Sequence, residues 1–419
     1  MFNRLLLAKE QFGFRPRVST EQAAYMMING ILKALNDKLM VWGIFCDLQK
    51  ASDCVNHDIL MEKLELYGIQ GKFSYLIKSY LTGRFQRLII GNSGLEDKSS
   101  TWKQIKNGVP QGSILGPLLF LVYINDLPRV LDVNTDTVLY ADDTSILITG
   151  PNKRDWDESI VNTYQKINSL FQSNRLALNL NKTQFLEFRT KYFLKDDVKT
   201  KSDQKYISNV TEVSFLGLTL DSALSRKKHI DKLTGKLCSA CYALRHIREV
   251  VSKDILKSGY FAHTHSLLSY GIIYWGNSAH AKKIFIIKKK KSIRIITKSK
   301  PTDSCRQHFI NPEIMTMYSH YIYSLMMHTV QNQQIYAANN DIHTYKTRYN
   351  KDLHFPIVNL KRYRDGPYYS AIKIYSHLPE YIKALTFDLK SFKRTLSGFL
   401  CQHSFYSMQE YYDSMGDFS

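Results

Sequence analysis

An Asp-Asp pair between two short apolar segments constrains the fold of this chain more than any other feature of the sequence. Residues 137–141 and 144–149 are short and rich in apolar and β-branched side chains, and Asp142 and Asp143 lie between them. Two strand-like segments joined this closely are typical of a β-hairpin, so both carboxylates are predicted at its tip. A solvated Asp-Asp turn is common in hairpins, and on the dipeptide alone that interpretation is favoured.

A third carboxylate, Asp47, ends another apolar segment, residues 41–48, which is predicted to form a buried strand. Charged groups in apolar surroundings are costly unless something compensates them, and adjacent carboxylates repel each other. Divalent cations would relieve both costs, and Mg²⁺ prefers a few carboxylates together with phosphate oxygens and water. Two such ions about 3.5–4 Å apart can activate an attacking hydroxyl and stabilise a leaving oxygen. Asp47, Asp142 and Asp143 are therefore candidate metal ligands.

Two weaker local signals lie between these carboxylates. A glycine-containing loop, residues 108–112, precedes a helix that is predicted to begin near residue 116. Glycine lets a backbone approach a ligand closely, and Gln111 offers an amide that can reach a base or a sugar, although an ordinary turn before a helix looks the same. Asp53 and His57 fall four residues apart, as on one helix face, and are interpreted as structural.

The charge of the chain favours a polyanionic partner. The formal net charge is +20 at pH 7, an excess that attracts nucleic acid first and an anionic membrane surface second. A basic segment, residues 282–300, mixes lysine and arginine with apolar residues, so one face could pack while the other meets phosphate. A solvated helix face and a nuclear localisation signal remain open as interpretations of this segment.

Membrane-spanning, secreted and disulfide-rich proteins are disfavoured. No segment has the ~18 uninterrupted apolar residues of a spanning helix, and the apolar run at the start is too short for a secretory signal. The six cysteines are scattered, which favours a reducing, intracellular compartment over a disulfide framework. Cys238 and Cys241 form an isolated pair that is expected to lie on a helix rather than to bind zinc.

The order of the predicted elements divides the chain into three parts. Residues 1–222 alternate helices with strands, residues 223–300 are helical and basic, and residues 301–419 are rich in tyrosine and histidine with weak periodicity. Two further strands in the first part are predicted at residues 87–91 and 101–105, around a turn at residues 92–94. Others are predicted at residues 185–189 and 213–220.

Residues 45–57, 107–126 and 139–143 form three sequence blocks, each with at least one of the candidate residues described above. These blocks and their order resemble the reverse transcriptases of non-LTR retrotransposons, the LINE-like elements of jockey type. Residues 45–57 resemble the first catalytic block, residues 107–126 the second, and residues 139–143 the catalytic hairpin. Flanking and later blocks resemble the same family at residues 11–15, 19–20, 178–183, 215–217, 269–276 and 304–306. The order and spacing of the blocks are far more specific than any one of them.

The resemblance implies an α+β fold of the right-hand polymerase type. Its palm would be an antiparallel sheet with packed helices, joined to partial fingers within residues 1–222. Residues 223–300 would form a basic helical thumb. Residues 301–419 would form a helical, tyrosine-rich extension to which no role is assigned.

The same resemblance implies roles for individual residues. Asp47 and Asp142 would bind two Mg²⁺ ions, or Mn²⁺ in their place, with Asp143 beside them. Lys182 would lie near the leaving pyrophosphate as a proton donor, and a surface lysine without a role is an equally open interpretation. The expected nucleotide- and template-binding residues are Arg15, Leu48, Ser52, Gln111 and Gly112, and the expected primer grip is Phe215, Leu216 and Gly217.

Two features depart from the family pattern. Ser52 stands where the family usually has a bulky aromatic residue that is thought to lie under the sugar and clash with a 2′-hydroxyl, so weaker exclusion of ribonucleotides is expected. The chain also opens at the fingers block. An N-terminally truncated copy without an endonuclease is therefore expected, with part of its triphosphate and template grip missing.

The expected function is RNA-directed DNA polymerisation. An RNA template, a DNA primer and deoxynucleoside triphosphates would be the partners, with no membrane involved and the nucleus as the site of action. An inactive nucleic-acid-binding remnant of a degenerate element copy is the alternative. An RNA-dependent RNA polymerase shares the palm and is kept open by Ser52, but the ordered blocks disfavour it.

Overall fold

The computed structural model divides the chain into two compact units. The first comprises Met1–Gly30 and Lys38–Val213, and the second comprises Ile31–Asp37 and Ser214–Ser419. Two predicted features, the turn at residues 92–94 and the block at residues 304–306, fall partly outside the described residues. The described residues are 7–92, 95–190, 208–300, 303, 305–310, 314–342 and 352–416.

Helices and short strands alternate in the first unit, as the sequence predicts. The helix α1 begins in this unit, and its last turn belongs to the second. In chain order the elements are α1 (Thr20–Asn36), β1 (Met40–Cys46), α2 (His57–Leu66), α3 (Lys72–Leu81), β2 (Phe85–Gln86), β3 (Ile89–Asn92), β4 (Leu95–Ser99), β5 (Lys103–Gln104), α4 (Leu115–Tyr123), α5 (Leu127–Val130), β6 (Thr135–Tyr140), β7 (Asp143–Gly150), α6 (Lys153–Ser173), β8 (Gln184–Phe188) and β9 (Ser208–Asn209).

A five-stranded sheet in the order β6-β7-β1-β8-β9 is the centre of the first unit. The strand β1 pairs antiparallel with β7 and with β8, whereas β8 and β9 run parallel. All of β1 beyond Met40 is buried, which explains its continuous apolar sequence. Phe120 and Tyr123 of α4 and Phe171 of α6 belong to the same core, and burying one such aromatic side chain contributes about 1.5–3 kcal/mol.

Strands at residues 41–48, 137–141, 144–149 and 185–189 are confirmed to within two residues. The pairing near residues 85–104 differs from the expectation of two strands around one turn. It is nested instead, because β3 pairs with β4 and β2 pairs with β5. The predicted strand at residues 213–220 is also interrupted. Leu216 and Gly217 have φ angles of +43° and +78°, and two left-handed residues in succession form a turn between two strands.

Beyond residue 221 the described part of the second unit is helical. Its largest buried side chains include Trp275, Tyr260, Tyr321 and Phe309. The elements are β10 (Glu212–Phe215), which begins at the end of the first unit, β11 (Leu218–Asp221), α7 (Lys227–Ile247), α8 (Lys253–Gly259), α9 (Ser266–Ser269), α10 (Ile272–Trp275), α11 (Ala281–Ile287), α12 (Arg294–Thr297), α13 (Cys305–Ile310), α14 (Met317–Gln331), α15 (Asn339–Ile342), α16 (Lys361–Arg364), α17 (Pro367–Ser376), α18 (Glu380–Lys383), α19 (Leu389–His403) and α20 (Met408–Gly416).

The cysteines concern the expectation about disulfide-rich proteins, and the helices concern the expectation about membrane-spanning proteins. Cys238 and Cys241 both lie on α7, as expected, and all six cysteines are free thiols. Among the described residues, no helix combines the length and the apolar content that a bilayer crossing requires.

Asn36, at the end of α1, fixes residues 357–360 within the second unit. Its side-chain Oδ1 accepts hydrogen bonds from the backbone N–H groups of Asn359 (2.8 Å) and Leu360 (3.1 Å), and its Nδ2 donates to the carbonyl of Ile357 (3.1 Å). Asn36 is only 4% exposed. Removing this buried side chain therefore takes away the partner of three backbone groups at once.

We expect Asn36→Ala to lower the free energy of unfolding of the second unit by about 2–4 kcal/mol, because two backbone N–H groups and one carbonyl lose their partner. Urea unfolding followed by circular dichroism measures the change. The matched control is Asn162→Ala, at an exposed position of α6, where alanine favours the helix. Equal unfolding midpoints for Asn36→Ala and the control would contradict the expectation.

Candidate active site

The Asp-Asp pair lies at the end of the β6–β7 hairpin. Tyr140 pairs with Asp143 across the two strands, so Ala141 and Asp142 form the turn. Asp143 is thus the first residue of β7 rather than part of the turn. Ala141 has a φ of +57°, a left-handed conformation that costs a non-glycine residue about 1–2 kcal/mol. The hairpin tip therefore needs support from outside its own sequence.

Asp47 directly follows β1 and is held by residues far along the chain. Its backbone carbonyl accepts a hydrogen bond from the N–H of Asn179 (2.8 Å), and its Oδ2 accepts one from Asn179 Nδ2 (3.0 Å). The Nζ of Lys182 lies 3.3 Å from the same Oδ2. Lys182 is placed by a tight turn in which its N–H donates to the Asn179 carbonyl (3.0 Å). The predicted residues Asp47 and Lys182 are thereby brought together.

The three aspartates influence one another electrostatically. The pKa of Asp143 is raised above its ordinary value, first because its carboxyl group is partly removed from water and then because the negative charges of Asp142 and Asp47 lie near it. The cation of Lys182 acts in the opposite direction. Three acidic groups and one lysine therefore share one electrostatic environment at the ends of β1 and β6.

The chemistry of these donors fits a divalent cation that is only partly enclosed by protein. Carboxylate oxygens are preferred ligands of hard cations such as Mg²⁺, and a bound cation would offset both the partial burial and the neighbouring charges that raise the pKa of Asp143. Within the described ranges, no three His, Cys, Asp or Glu side chains gather closely enough to hold a metal ion by themselves. Substrate oxygens and water would have to complete the coordination, as is usual for Mg²⁺.

The glycine loop is anchored to the segment that follows Asp47. The N–H of Gly108 donates to the Val55 carbonyl (2.8 Å), and that of Val109 donates to the Ser52 carbonyl (2.9 Å). Gly108 has a φ of +86°, and a Cβ there would lie 2.8 Å from the backbone of Asp53. Only glycine satisfies both conditions without strain.

Asp53 and His57, which the sequence analysis interprets as structural, both contact this loop. His57 Nε2 lies 2.9 Å from the Gly108 carbonyl, and because a carbonyl only accepts, this ring nitrogen carries the proton. The Nε2 of Gln111 donates to Asp53 Oδ1 (2.8 Å). Asp53 thus sets the direction of the Gln111 amide.

A cleft of about 720 Å³ brings several of the predicted residues together. Polar side chains from the segment that follows β1, the glycine loop, the hairpin tip and the segment before β8 meet there. Lys50 and Arg175, which were not predicted, add two cationic side chains to this cleft. The predicted residues that line it are Asp47, Leu48, Ser52, Gln111, Asp142 and Lys182.

Arg15 and Gly112 are not among the residues that line this cleft. The Nη1 of Arg15 donates instead to the carbonyls of Ala8 (2.8 Å) and Gln11 (3.0 Å), which folds the guanidinium back on its own segment. Gly112 has a φ of +77° in the loop next to Gln111.

The predicted primer-grip residues lie in the second unit. Phe215 is buried, and Leu216 and Gly217 form the turn between β10 and β11. The hydroxyl of Tyr270 donates to the Leu216 carbonyl, and a Cβ on Gly217 would lie 3.0 Å from the Tyr270 ring. Tyr270 therefore supports this turn.

Three residues for which no catalytic or binding role was expected contact the site. Asn179 binds Asp47, Asp53 binds Gln111, and Gln11 accepts a hydrogen bond from the N–H of Ala141 (3.1 Å). Asn179 and Gln11 belong to blocks that resemble the family, and this is the signal that could have drawn attention to them. Their contacts span 132 and 130 residues, beyond the reach of local patterns.

Comparison with known proteins gives one family and several relatives. Residues 2–220 match the family of reverse transcriptases (RNA-dependent DNA polymerases). Two relatives from Drosophila melanogaster are a probable RNA-directed DNA polymerase from transposon BS, 27% identical over 307 residues, and the RNA-directed DNA polymerase from mobile element jockey, 26% identical over 314 residues. These matches cover 71% and 70% of this chain and 33% of each relative, so the chain spans about a third of their length.

A solved structure of telomerase from Candida tropicalis, in complex with a TWJ fragment of telomeric RNA, aligns with 94% of this chain and 53% of that chain. The identity is 14% and the TM-score 0.38, a similarity too low to support a conclusion about this chain. The family match is different in kind, because it includes every aspartate of the site and spans residues 2–220 of 419. The resemblance seen in the sequence is confirmed, and the chain belongs to the reverse transcriptase family.

Proposed function

We propose that this chain catalyses RNA-directed DNA polymerisation, in which the 3′-hydroxyl of a DNA primer is extended on an RNA template. The observation that carries the proposal is the convergence of Asp47, Asp142 and Lys182 in one cleft with Ser52 and Gln111. Together these residues offer a metal site, a cation for a phosphate and an amide for a base, which are the requirements of nucleotidyl transfer.

The proposed polymerase has three parts. Its palm and partial fingers lie within residues 1–222, and the five-stranded sheet with its aspartates at the strand ends supports the palm assignment. A helical thumb at residues 223–300 and a helical extension at residues 301–419 complete the proposal. The absence of strands from the described residues 222–300 agrees with a helical thumb.

Two Mg²⁺ ions, or Mn²⁺ in their place, are the proposed cofactors. Reverse transcriptases generally use divalent metal ions, and here Asp47 and Asp142 would hold them with Asp143 beside them. When bound, such ions lower the pKa of an attacking hydroxyl and neutralise charge on a leaving group. The raised pKa of Asp143, caused first by partial burial and then by the charges of Asp142 and Asp47, agrees with this assignment, because a bound cation would offset both effects.

The protein residues would orient the substrates and balance their charge. The primer 3′-hydroxyl gives up its proton to water, and its oxygen forms a bond to the α-phosphorus of the incoming nucleotide as the bond to pyrophosphate breaks. Lys50, Arg175 and Lys182, which all line the cleft, would attract the triphosphate. Lys182 would donate a proton to the pyrophosphate oxygen that leaves.

The remaining contacts are also proposals. Leu48, Gln111 and Gly112 would border the pocket for template and nucleotide, and residues 215–217 would grip the primer strand. Arg15 would approach the triphosphate only if its guanidinium left the carbonyls of Ala8 and Gln11. The proposed place of action is the nucleus.

Primer extension on poly(rA)/oligo(dT) with dTTP and Mg²⁺ tests the proposed activity. We expect extension by the wild-type chain and a loss on the order of a thousandfold in Asp142→Asn, because a neutral amide removes a charge that binds the metal. Asp132→Asn is the matched control, since Asp132 forms an exposed pair with Lys166 (2.5 Å) that contributes little.

Extension that survives Asp142→Asn would refute the assignment of the site. A wild-type chain that extends no primer but binds RNA in a salt-sensitive manner would favour the alternative, an inactive nucleic-acid-binding remnant.

We expect Ser52→Phe to raise the preference for dGTP over GTP by about ten- to hundredfold, because a ring in the cleft would collide with a 2′-hydroxyl. Ser52 lines the cleft with Asp47 and Asp142 and is partly exposed, so there is room for a larger side chain. Single-nucleotide incorporation with each triphosphate measures the ratio. Ser52→Ala is the control that removes the hydroxyl alone. Equal dGTP to GTP ratios in the wild type and both variants would show that residue 52 does not affect the choice of sugar.

Lys182→Gln distinguishes a proton donor from a surface lysine. We expect the incorporation rate at saturating nucleotide to fall about a hundredfold, which is the usual contribution of a general acid. Lys166→Gln makes the same change at an exposed helix position. Equal rates in the two variants would show that Lys182 has no part in the chemical step.

A further inference from the structure

We infer that Gln11 is a positioning residue that holds the tip of the β6–β7 hairpin in the shape required for catalysis. The expected effect of Gln11 on the rate of nucleotide incorporation rests on the proposed function. The hydrogen bonds themselves are properties of the first unit alone, and they can be tested without turnover.

The chain before α1 runs beside β6 and delivers Gln11 to the hairpin. The N–H of Phe12 donates to the Leu139 carbonyl (2.7 Å), and the N–H of Leu139 donates to the Glu10 carbonyl (2.9 Å). Gln11 and Leu139 are bridged in parallel orientation. This pairing aligns the segment with β6 two residues before the turn.

The Gln11 side chain then joins the two segments. It is only 2% exposed, and its Oε1 accepts hydrogen bonds from the N–H groups of Gly13 (2.7 Å) and Ala141 (3.1 Å). Because a backbone N–H can only donate, the oxygen and not the nitrogen of the amide must face both groups. The buried Nε2 has no hydrogen-bond partner among the described residues, so these two N–H groups determine the orientation of the amide.

Gly13 makes this close approach sterically possible. A Cβ at position 13 would lie 2.3 Å from the backbone nitrogen of Ala141, well inside van der Waals contact. The segment and the hairpin tip therefore touch through their backbones. A hydrogen-bond acceptor on the segment can then reach the Ala141 N–H.

The contact matters because Ala141 is strained and directly precedes Asp142. With a φ of +57°, Ala141 adopts a conformation that alanine disfavours and that its surroundings must impose. Loss of the bond from its N–H would let φ return toward negative values and redirect Asp142. Displacing a catalytic group by about 1 Å can lower a rate about a hundredfold.

A double-mutant cycle tests this inference. Gln11→Met keeps the length of the side chain but removes the acceptor, and Ala141→Gly removes the cost of the left-handed conformation. We expect Gln11→Met to reduce the burst rate constant of dTTP incorporation about ten- to hundredfold. In the Ala141→Gly background the same substitution should cost less than about threefold. Gln22→Met is the matched control, because the Gln22 amide oxygen also accepts a backbone N–H, that of Ser19 (3.0 Å).

The initial burst of nucleotide incorporation distinguishes a misplaced active site from a loss of folded protein. Its amplitude counts competent protein, whereas its rate constant reports the geometry of the site. A fall in amplitude at constant rate, or an equal loss in both backgrounds, would overturn the inference. If Gln11→Met does not fold, Gln11→Asn takes its place, since it keeps the amide but withdraws the oxygen by one methylene.

Hydrogen exchange at the hairpin gives a readout that does not depend on activity. We expect the amide of Ala141 to exchange at least tenfold faster in Gln11→Met, while the amide of Ile44 in β1 is unchanged. Unchanged exchange at Ala141 would overturn the inference even if the chain proves to be an active polymerase. Faster exchange in a chain that extends no primer would support the role of Gln11 in holding the hairpin tip and would refute the proposed function.

Discussion

The sheet of the first unit must hold the carboxylates of Asp47, Asp142 and Asp143 near one another although their negative charges repel. Antiparallel pairing of Cys46 with Thr144 brings the end of β1 to the start of β7, so Asp47 and Asp143 become neighbours. Two like charges about 4 Å apart repel by roughly 1 kcal/mol in water and about 4 kcal/mol near a protein surface. A flexible segment would move them apart, whereas a sheet whose strands are paired on both sides of β1 cannot.

The surroundings of the cleft show the same requirement for fixed geometry. The loop that carries Gln111 is bound to the segment after Asp47 through the carbonyls of Ser52 and Val55 and the ring of His57. The segment that carries Lys182 is bound to Asp47 through Asn179. Both segments are therefore connected to the residues that follow β1 by backbone and side-chain hydrogen bonds, and the polar groups of the cleft are held by a common support.

The sequence predicted those parts of the fold that depend on residues close together in the chain, such as the buried strands. The apolar segments next to Asp47 and the Asp-Asp pair predicted strands at the right places. The strands β1 and β7 are buried, and burial requires the apolar residues that make such segments recognisable in the sequence. The segments did not reveal that Asp143 belongs to β7, since the turn uses Ala141 in a conformation for which the sequence has no glycine or asparagine signal. The same holds for Leu216, whose left-handed φ divides a predicted strand in two.

Local patterns could not pair the amide side chains of Gln11 and Asn179 with partners so distant in sequence, yet the chemistry of these amides follows from the site. Gln11 accepts a bond from a backbone N–H, and Asn179 donates one to a carboxylate. A carboxylate in either place would add to the repulsion around Asp142 and Asp143, and a second cation beside Lys182 would compete with a metal ion for Asp47. A neutral amide can donate or accept without changing the charge of the site. Residues that position the acidic groups are therefore expected to be uncharged, which is why the surplus of positive charge in the composition gives no indication of them.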